Sequence, residues 1–407
     1  MRILWLKTEL LHPIDKGGKI RTYQMLKELK KEHTITYLTL DDGSAGARSR
    51  ESALEYCQHL ITVPQHQTEK FSAGFYVDLG TNLFSKLPYA IDKYKSEQMT
   101  KEIAKRFGGD KYDLMVCDFL APAVNIPARL QCPVVLFEHN VEASIWKRHY
   151  EVQNNPIKKF YLWHQWWKMR RFERENCRRF DCVVTVSGED AQQVRQDYGA
   201  QHVYDVPTGV DTTYFSVRDS GTENKNNLVF TGSMDWLPNI DSIRFFAQSI
   251  LPIIKETVPE VTLTVVGRNP SPELLKLADL DRSIIVTGRV EDVRPYIESA
   301  AIYVVPLRIG GGTRLKIYES MAMGKPVVST TIGAEGLPVT AGKDILIADT
   351  AADFAASIIY LLQNPKISRE IAATAEAKVR EKFGWPTVAK RFSEICEKTV
   401  ARKTQPV

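Results

Sequence analysis

The chain has 407 residues, with 54 Lys and Arg against 49 Asp and Glu for a formal charge of +5. That length is too great for one ordinary hydrophobic core and suits two domains, while the charge is too small to argue for nucleic acid and no basic low-complexity arm accompanies it. Six scattered cysteines, without a Cys-x-x-Cys pair or a neighbouring His at metal-ligand spacing, read as reduced, mostly buried thiols of a cytoplasmic protein.

The N-terminal MRILWLKTELLH holds too short an apolar run for a signal peptide and is predicted to be the first strand. No later stretch reaches the roughly 20 apolar residues of a membrane span. Behind the first run stand Lys16, Gly17, Gly18, Lys19 and Arg21, opening a predicted helix with Ile20, Tyr23, Leu26 and Leu29 on one face. Further Val-, Ile- and Leu-rich runs follow at 34–40, 60–63, 114–119, 134–139 and 182–187, then at 228–232, 262–267, 284–288, 302–307, 326–330 and 345–348. Continuous apolar strands, unlike alternating ones, belong to parallel sheets covered on both faces, so the expected architecture is α/β, twice over. The polar stretch DSGTENKNN after PTGVD marks the break. Residues 1–208 are read as the first domain and 209–385 as the second. A terminal helix over 386–407 is expected to return to the first.

Between the halves of this pattern, residues 146–180 combine many Lys and Arg with Phe160, Tyr161, Trp163, Trp166 and Trp167. An amphipathic helix of this kind suits an anionic membrane surface. A long helix with packed aromatics and solvated charges has the same composition, as does the wall of an acceptor groove. No nucleic-acid motif accompanies the patch.

Several predicted strands end in glycine or a polar group: Glu138–His139–Asn140, Ser187, Gly232–Ser233, Gly267–Arg268, Gly288 and Gly310. In open parallel sheets, ligands bind at these carboxyl ends. The stretch IGGGTRLKIYESMAMG, 309–324, is the most informative. Gly310, Gly311, Gly312 and Thr313 lead into a helix whose first turn carries Arg314 and Lys316, cations that oppose the helix dipole by about 0.3–1 kcal/mol each. An anion at that N-terminus, held by free backbone N–H groups, reconciles them. A Gly-rich surface turn before a solvated basic helix is the plainer alternative. Because strand, Gly-Gly and basic helix occur together at both 3–21 and 301–316, two half-sites for one phosphate or diphosphate are expected.

Taken in order, KGGKIRTYQMLKEL, FEHNVE, VTVSGED, PTGVD, VTGRVEDVRPYI and GGGTRLKIYESMAMGKPVVSTTIGAEGL resemble the retaining glycosyltransferases of family 4, and the likeness covers essentially the whole chain. The resemblance implies the GT-B fold, two Rossmann-like domains facing a cleft, and transfer of a sugar from a nucleoside-diphosphate sugar to a glycan or lipid-linked acceptor without a metal cofactor. It implies that Glu319 accepts hydrogen bonds from the donor ribose, that Gly17 and Gly18 approach the donor phosphates, and that His139 contacts the donor sugar. Gly288 and Val290 fall where the family's backbone reads the base. Gly232 and Ser233 fall in the turn after the second domain's first strand.

Two departures stand out. The family's first glutamate, eight positions before Glu319, is here Gly311, and backbone amides of 310–313 are expected to meet the sugar instead. The Arg and Lys that commonly follow the second domain's first strand are replaced in FTGSMDWLPN, and Arg314 with Lys316 is expected to restore that charge. These two cations, with His139, form the expected catalytic set. Asp279-Leu280-Asp281 has the Asp-x-Asp form of metal-dependent transferases but precedes its strand, so it reads as a solvated turn. Walker and dinucleotide fingerprints are missing. Two readings stand beside the transferase: a nucleotide-sugar 2-epimerase, which needs a carboxylate base near the sugar, and a non-catalytic nucleotide- or glycan-binding subunit. Peripheral contact with the inner face of a plasma membrane is expected from the basic and aromatic segment 146–180, while a role in bacterial cell-surface polysaccharide or glycolipid synthesis rests on the resemblance.

Overall fold

The computed structural model describes the chain except residues 15, 45, 66–67, 70, 108–111, 129, 131, 218–223, 310–314 and 405–407. Two compact units result, Met1–Pro207 with Val388–Val407 and Thr208–Thr387. Each is an open parallel sheet flanked by helices.

In the first unit the strands are β1 (Arg2–Lys7), β2 (Thr34–Asp41), β3 (His59–Pro64), β4 (Leu114–Asp118), β5 (Val134–Glu138), β6 (Cys182–Thr185) and β7 (Val203–Asp205), in the order β3-β2-β1-β4-β5-β6-β7. In the second they are β8 (Asn224–Thr231), β9 (Thr262–Val266), β10 (Ile284–Gly288), β11 (Ala300–Val305), β12 (Val327–Ser329) and β13 (Leu346–Ile347), in the order β10-β9-β8-β11-β12-β13. Every pairing is parallel. Both faces of the central strands are covered, and β4 and β5 are buried at every position, which is why their sequences are unbroken apolar runs. β7 was not expected, because only Val203 of its three residues is buried and so little apolar signal remains.

Strand order reverses between β1 and β4 in the first unit and between β8 and β11 in the second. A topological switch point leaves a crevice at the carboxyl ends of the diverging strands. The glycine-bearing turns after β1 and β8 lie at these two points.

The helix Trp385–Thr404 completes the first unit from Val388 onward. Its Phe392 ring packs 5.7 Å from Trp5 and 5.0 Å from Phe137. Ser393 Oγ meets His33 Nε2 at 2.7 Å, and Lys403 pairs with Asp181 at 3.0 Å. All six cysteines are buried and unpaired, and burial pushes the thiols of Cys57 and Cys182 up to about 11.

Candidate functional site

In the first unit the helix Gly17–Leu29 opens at the switch point. Lys16 at its N-cap makes no side-chain capping bond, and the first turn holds no acid, so its N–H groups keep their capacity for an anion. Gly17 faces open space. Gly18 is packed: a Cβ there would lie 2.8 Å from the Phe119 ring. The buried face consists of Lys19, Thr22, Met25, Leu26 and Leu29, one position removed from the expected stripe, because Ile20 and Tyr23 are only half-buried. Lys19 is turned inward, 3.6 Å from Glu9. Arg21 keeps a buried Nε–H without a partner. Burial draws its pKa down to about 10, while Asp118 and Asp190 act in the other direction.

The centre of this half is a buried polar cluster that closes three strands. Lys7 ends β1, Asp118 ends β4 and His139 follows β5. Oδ2 of Asp118 accepts from Lys7 Nζ at 2.9 Å, Trp5 Nε1 at 2.9 Å and Thr22 Oγ1 at 2.6 Å. Nε2 of His139 lies 2.7 Å from Asp118 Oδ1, though off the axis of an ideal hydrogen bond. Burial alone would raise the Asp118 pKa; Lys7, His139 and Thr22 overcome it and hold the carboxyl well below its usual range. His139 is itself driven down to about 3 by burial, with Asp118 opposing, so the ring is neutral at physiological pH. Asp118 offers only lone pairs, so the proton belongs on Nε2 and Nδ1 is the acceptor. That Nδ1 is buried without a partner.

His139 is 1 % exposed, because the Phe119 ring stacks on it at a centroid distance of 3.8 Å. Phe119 reaches there from a left-handed backbone, φ +69°, and also takes Lys7 Nζ over its face at 4.2 Å. A bulky residue at positive φ is an outlier held by its surroundings.

Beneath the cluster two further acids meet. Burial and Glu173 push Glu138 well above the carboxylate range. Glu173 accepts from the N–H of Glu142 at 2.6 Å, the N–H of Ala143 at 3.0 Å and Tyr198 OH at 2.5 Å. It thereby caps the helix Glu142–Val152 from the helix Pro156–Arg179.

In the second unit, Gly310, Gly311, Gly312, Thr313 and Arg314 lie outside the described residues. The helix Leu315–Ala322 buries Ile317, Tyr318, Ser320, Met321 and Ala322, leaving Lys316 and Glu319 together on its half-buried side. Lys316 Nζ bonds Asn239 Oδ1 at 3.2 Å and stands 4.1 Å over the Phe230 ring, within β8. A Cβ on Gly232, at φ +159°, would lie 3.1 Å from the same Nζ. The lysine therefore reaches the end of β8 from the β11 side of the switch point. Burial raises Glu319 to about 7, with Lys316 acting to lower it.

The turns after β8 and β9 are zipped together. Gly232 N–H donates to Val266 O at 3.0 Å and Met234 N–H to Arg268 O at 2.9 Å. Arg268 Nε donates to Ser233 Oγ at 3.0 Å, and Asn239 Nδ2 to Ser233 O at 2.8 Å. A Cβ on Gly267 would fall 1.7 Å from the Gly232 carbonyl oxygen, so only glycine permits this approach. Gly267→Ala is expected to cost about 1–3 kcal/mol by forcing the two turns apart, read as a lower midpoint in urea with the slope unchanged. Gly288, at φ +71°, ends β10 facing open space, and Val290 packs half-buried against the core of the second unit.

The sequence reading thus has Gly232, Ser233, Lys316 and Glu319 brought together, with Gly17, Gly18 and His139 grouped separately in the first unit. It missed Lys7, Asp118, Phe119, Asn239 and the contribution of Arg268. One signal was present: a Lys and an Asp each close an otherwise apolar strand, where a charge needs a buried partner. Asp281 is held by Lys255 at 2.6 Å and by Ser283, in a turn that follows the helix Pro272–Leu280. Among the described residues no group of three His, Cys, Asp or Glu is placed to hold a metal ion, and no helix is long and apolar enough to cross a membrane.

Two Rossmann-like units, each an open parallel sheet with one switch point, define a GT-B protein. A family model described as Glycosyltransferase Family 4 matches residues 16–214, and one described as Glycosyl transferases group 1 matches residues 225–364. The chain belongs to these glycosyltransferases and is a transferase enzyme. It is 21 % identical, over 94 % of its length and 96 % of the relative's, to an "Uncharacterized 44.6 kDa protein in cps region" of Klebsiella pneumoniae. It is 31 % identical to the phosphatidyl-myo-inositol mannosyltransferase of Mycobacterium leprae, over 37 % of this chain and 41 % of that one. Among solved structures, Anabaena HepE in complex with UDP superposes with a TM-score of 0.68 at 15 % identity, covering 98 % of this chain and 100 % of that one.

Proposed function

We propose that the protein moves a sugar from a nucleoside-diphosphate sugar, with retention at the anomeric carbon, to a glycan or lipid-linked acceptor in the synthesis of a bacterial cell-surface polysaccharide or glycolipid. The observation that carries this is Lys316, whose ammonium stands at the glycine turn closing β8 with Arg268 bonded into the same turn and Glu319 on the same helix side. Positive charge for a diphosphate and an acceptor for ribose hydroxyls thus come from one element. Support for the setting comes from the K. pneumoniae relative of the cps region, and from the lipopolysaccharide core mannosyltransferase LpsB of Rhizobium meliloti, 25 % identical over 54 % of this chain. HepE, of the same fold, binds UDP and UDP-glucose.

In the proposed reaction the bond from the anomeric carbon to the diphosphate oxygen breaks, and an acceptor hydroxyl bonds that carbon from the face the diphosphate leaves. Its proton passes to the departing phosphate. Lys316, Arg268 and Arg314 stabilise the leaving charge, so the chemistry calls for no metal. His139 enters as a neutral acceptor for a sugar hydroxyl through Nδ1, with Asp118 as its positioning residue.

Glu319 provides the test. Its raised pKa favours protonation in the free protein: this group's contribution to stability is fully present below about pH 4 and lost as pH climbs through 7. Ribose hydroxyls donate best to the carboxylate, so nucleotide affinity is expected to rise from pH 6 to pH 8. Calorimetric titration with UDP, GDP and ADP, with and without EDTA, should find one nucleotide whose binding ignores EDTA. That pH-dependent rise should vanish in Glu319→Gln. Proton NMR of the product made from that nucleotide's sugar should show the donor's anomeric configuration. No nucleotide binding, or an inverted product, would refute the proposal.

A further inference from the structure

Arg21, in the second turn of the helix Gly17–Leu29, is a cation for which the fold supplies no bonded partner among the described residues. Its Nε–H is buried and unbonded, and no carboxylate of those residues stands within ion-pair reach of the guanidinium. A buried charge left unsatisfied is costly. Its presence calls for an anion from outside the chain.

The two carboxylates whose charge Arg21 feels are otherwise engaged. Asp118 has Lys7, Trp5 and Thr22 on Oδ2, and its Oδ1 lies 2.7 Å from His139. Asp190 accepts from the Ser187 hydroxyl at 2.8 Å, and its own N–H is capped by Ser187 Oγ at 3.1 Å, at the start of the helix Gly188–Gln193. The field of Asp190 is divided between Arg21 and the exposed Arg148. Nor does the arginine fold back on the glycine turn, since a Cβ on Gly17 would meet nothing. Its charge acts instead on Lys7 and His139, lowering the pKa of each. The guanidinium thus belongs to the ends of β1, β4 and β5, around the histidine to which the reacting sugar is assigned.

We infer that Arg21 binds a phosphate carried by the acceptor, close to the hydroxyl that attacks the anomeric carbon. The donor's diphosphate is already matched in the second unit by Lys316 and Arg268, with Arg314 assigned to it as well, so a cation beside His139 is surplus to the donor. The forked N–H donors of a guanidinium suit the paired oxygens of a phosphate, and a charge-assisted bond at a partly buried site is among the stronger ones. The inference deepens the proposed function and rests on its nucleotide-sugar transferase, naming phosphate as the group that the acceptor presents. Such an acceptor would be selected over a neutral glycan by this one side chain.

Glycerol phosphate is the probe, titrated calorimetrically into the full chain already saturated with its nucleoside diphosphate. It should bind beside the nucleotide, and Arg21→Gln should weaken it by roughly ten- to a hundredfold while nucleotide affinity stays unchanged. Arg21→Lys, which keeps the charge without the fork, should recover part of the loss. In urea, glycerol phosphate should raise the unfolding midpoint of the wild type and not that of Arg21→Gln. Without ligand, Arg21→Gln should unfold no earlier than the wild type, because no native bond is lost. Earlier unfolding would make Arg21 a structural partner of Asp190 and overturn the inference. Absence of glycerol phosphate binding, or binding indifferent to Arg21→Gln, would overturn it too. Weaker nucleotide binding in Arg21→Gln would reassign the arginine to the donor's diphosphate, and a dependence on Arg21 seen only with a nucleoside-diphosphate uronic acid would reassign it to a donor carboxylate. If the wild type bound glycerol phosphate through Arg21 but no nucleotide, the transferase reading alone would fail.

Discussion

Asp118→Ala is expected to lose about 3–5 kcal/mol of folding stability, the cost of leaving a buried cation without its counter-ion. Lys7 is 2 % exposed and its ammonium has Asp118 and the Thr22 hydroxyl as partners. Burial already lowers the Lys7 pKa, and Asp118 is the largest influence opposing it. Without the carboxylate, Lys7 must be neutralised or exposed, and Trp5 Nε1 and His139 lose a partner as well. Replacing Lys7 and Asp118 together by methionine and valine should restore most of the loss, because the penalty belongs to the unpaired charge. Urea unfolding of the two variants, followed by tryptophan fluorescence, checks this; a loss under about 1 kcal/mol for Asp118→Ala would contradict it. The pH dependence has a definite sign. The Asp118 pKa is depressed in the fold, so its stabilising contribution is present above about pH 4 and disappears as acid titrates through the lower folded value.

Lys316→Ala is expected to lower turnover by about a hundred- to a thousandfold, or roughly 2.7–4 kcal/mol of transition-state stabilisation. The lysine's reach to the β8 turn, braced by Asn239 and lying over Phe230, makes it a fixed charge where the departing diphosphate needs one. A preorganised cation gains most as charge develops on the leaving oxygen, so kcat should fall more than donor affinity. Steady-state kinetics at saturating donor, with circular dichroism to confirm folding, measure this. A loss under tenfold would remove Lys316 from the catalytic set and shift the burden to Arg268 and the glycine turn. Lys316→Arg, which keeps the charge on a broader head, should recover part of the rate.

Most strands were legible because parallel sheets covered on both faces demand continuous apolar runs, and the chain supplies one for every strand but β7. The uncapped basic helix start after β1 was legible for a related reason. Cations in a first turn without a capping side chain oppose the dipole unless an anion is expected. The departure in 230–239 is also readable, with Arg314 and Lys316 expected to restore the missing charge; of these two, Lys316 lies among the described residues.

What this sequence determines by itself is the two-fold α/β pattern, the glycine turns at strand ends and the cations that follow them, since local periodicity and backbone chemistry are written in neighbouring residues. Only the tertiary structure decided that His139 lies neutral beneath Phe119, that Asp118 joins β1, β4 and β5 through Lys7 and His139, and that Lys316 meets Asn239 across 77 positions. Those features depend on strand order and side-chain burial. A switch point brings together residues distant in the chain, and the desolvation that sets their protonation exists only after both flanking elements have packed.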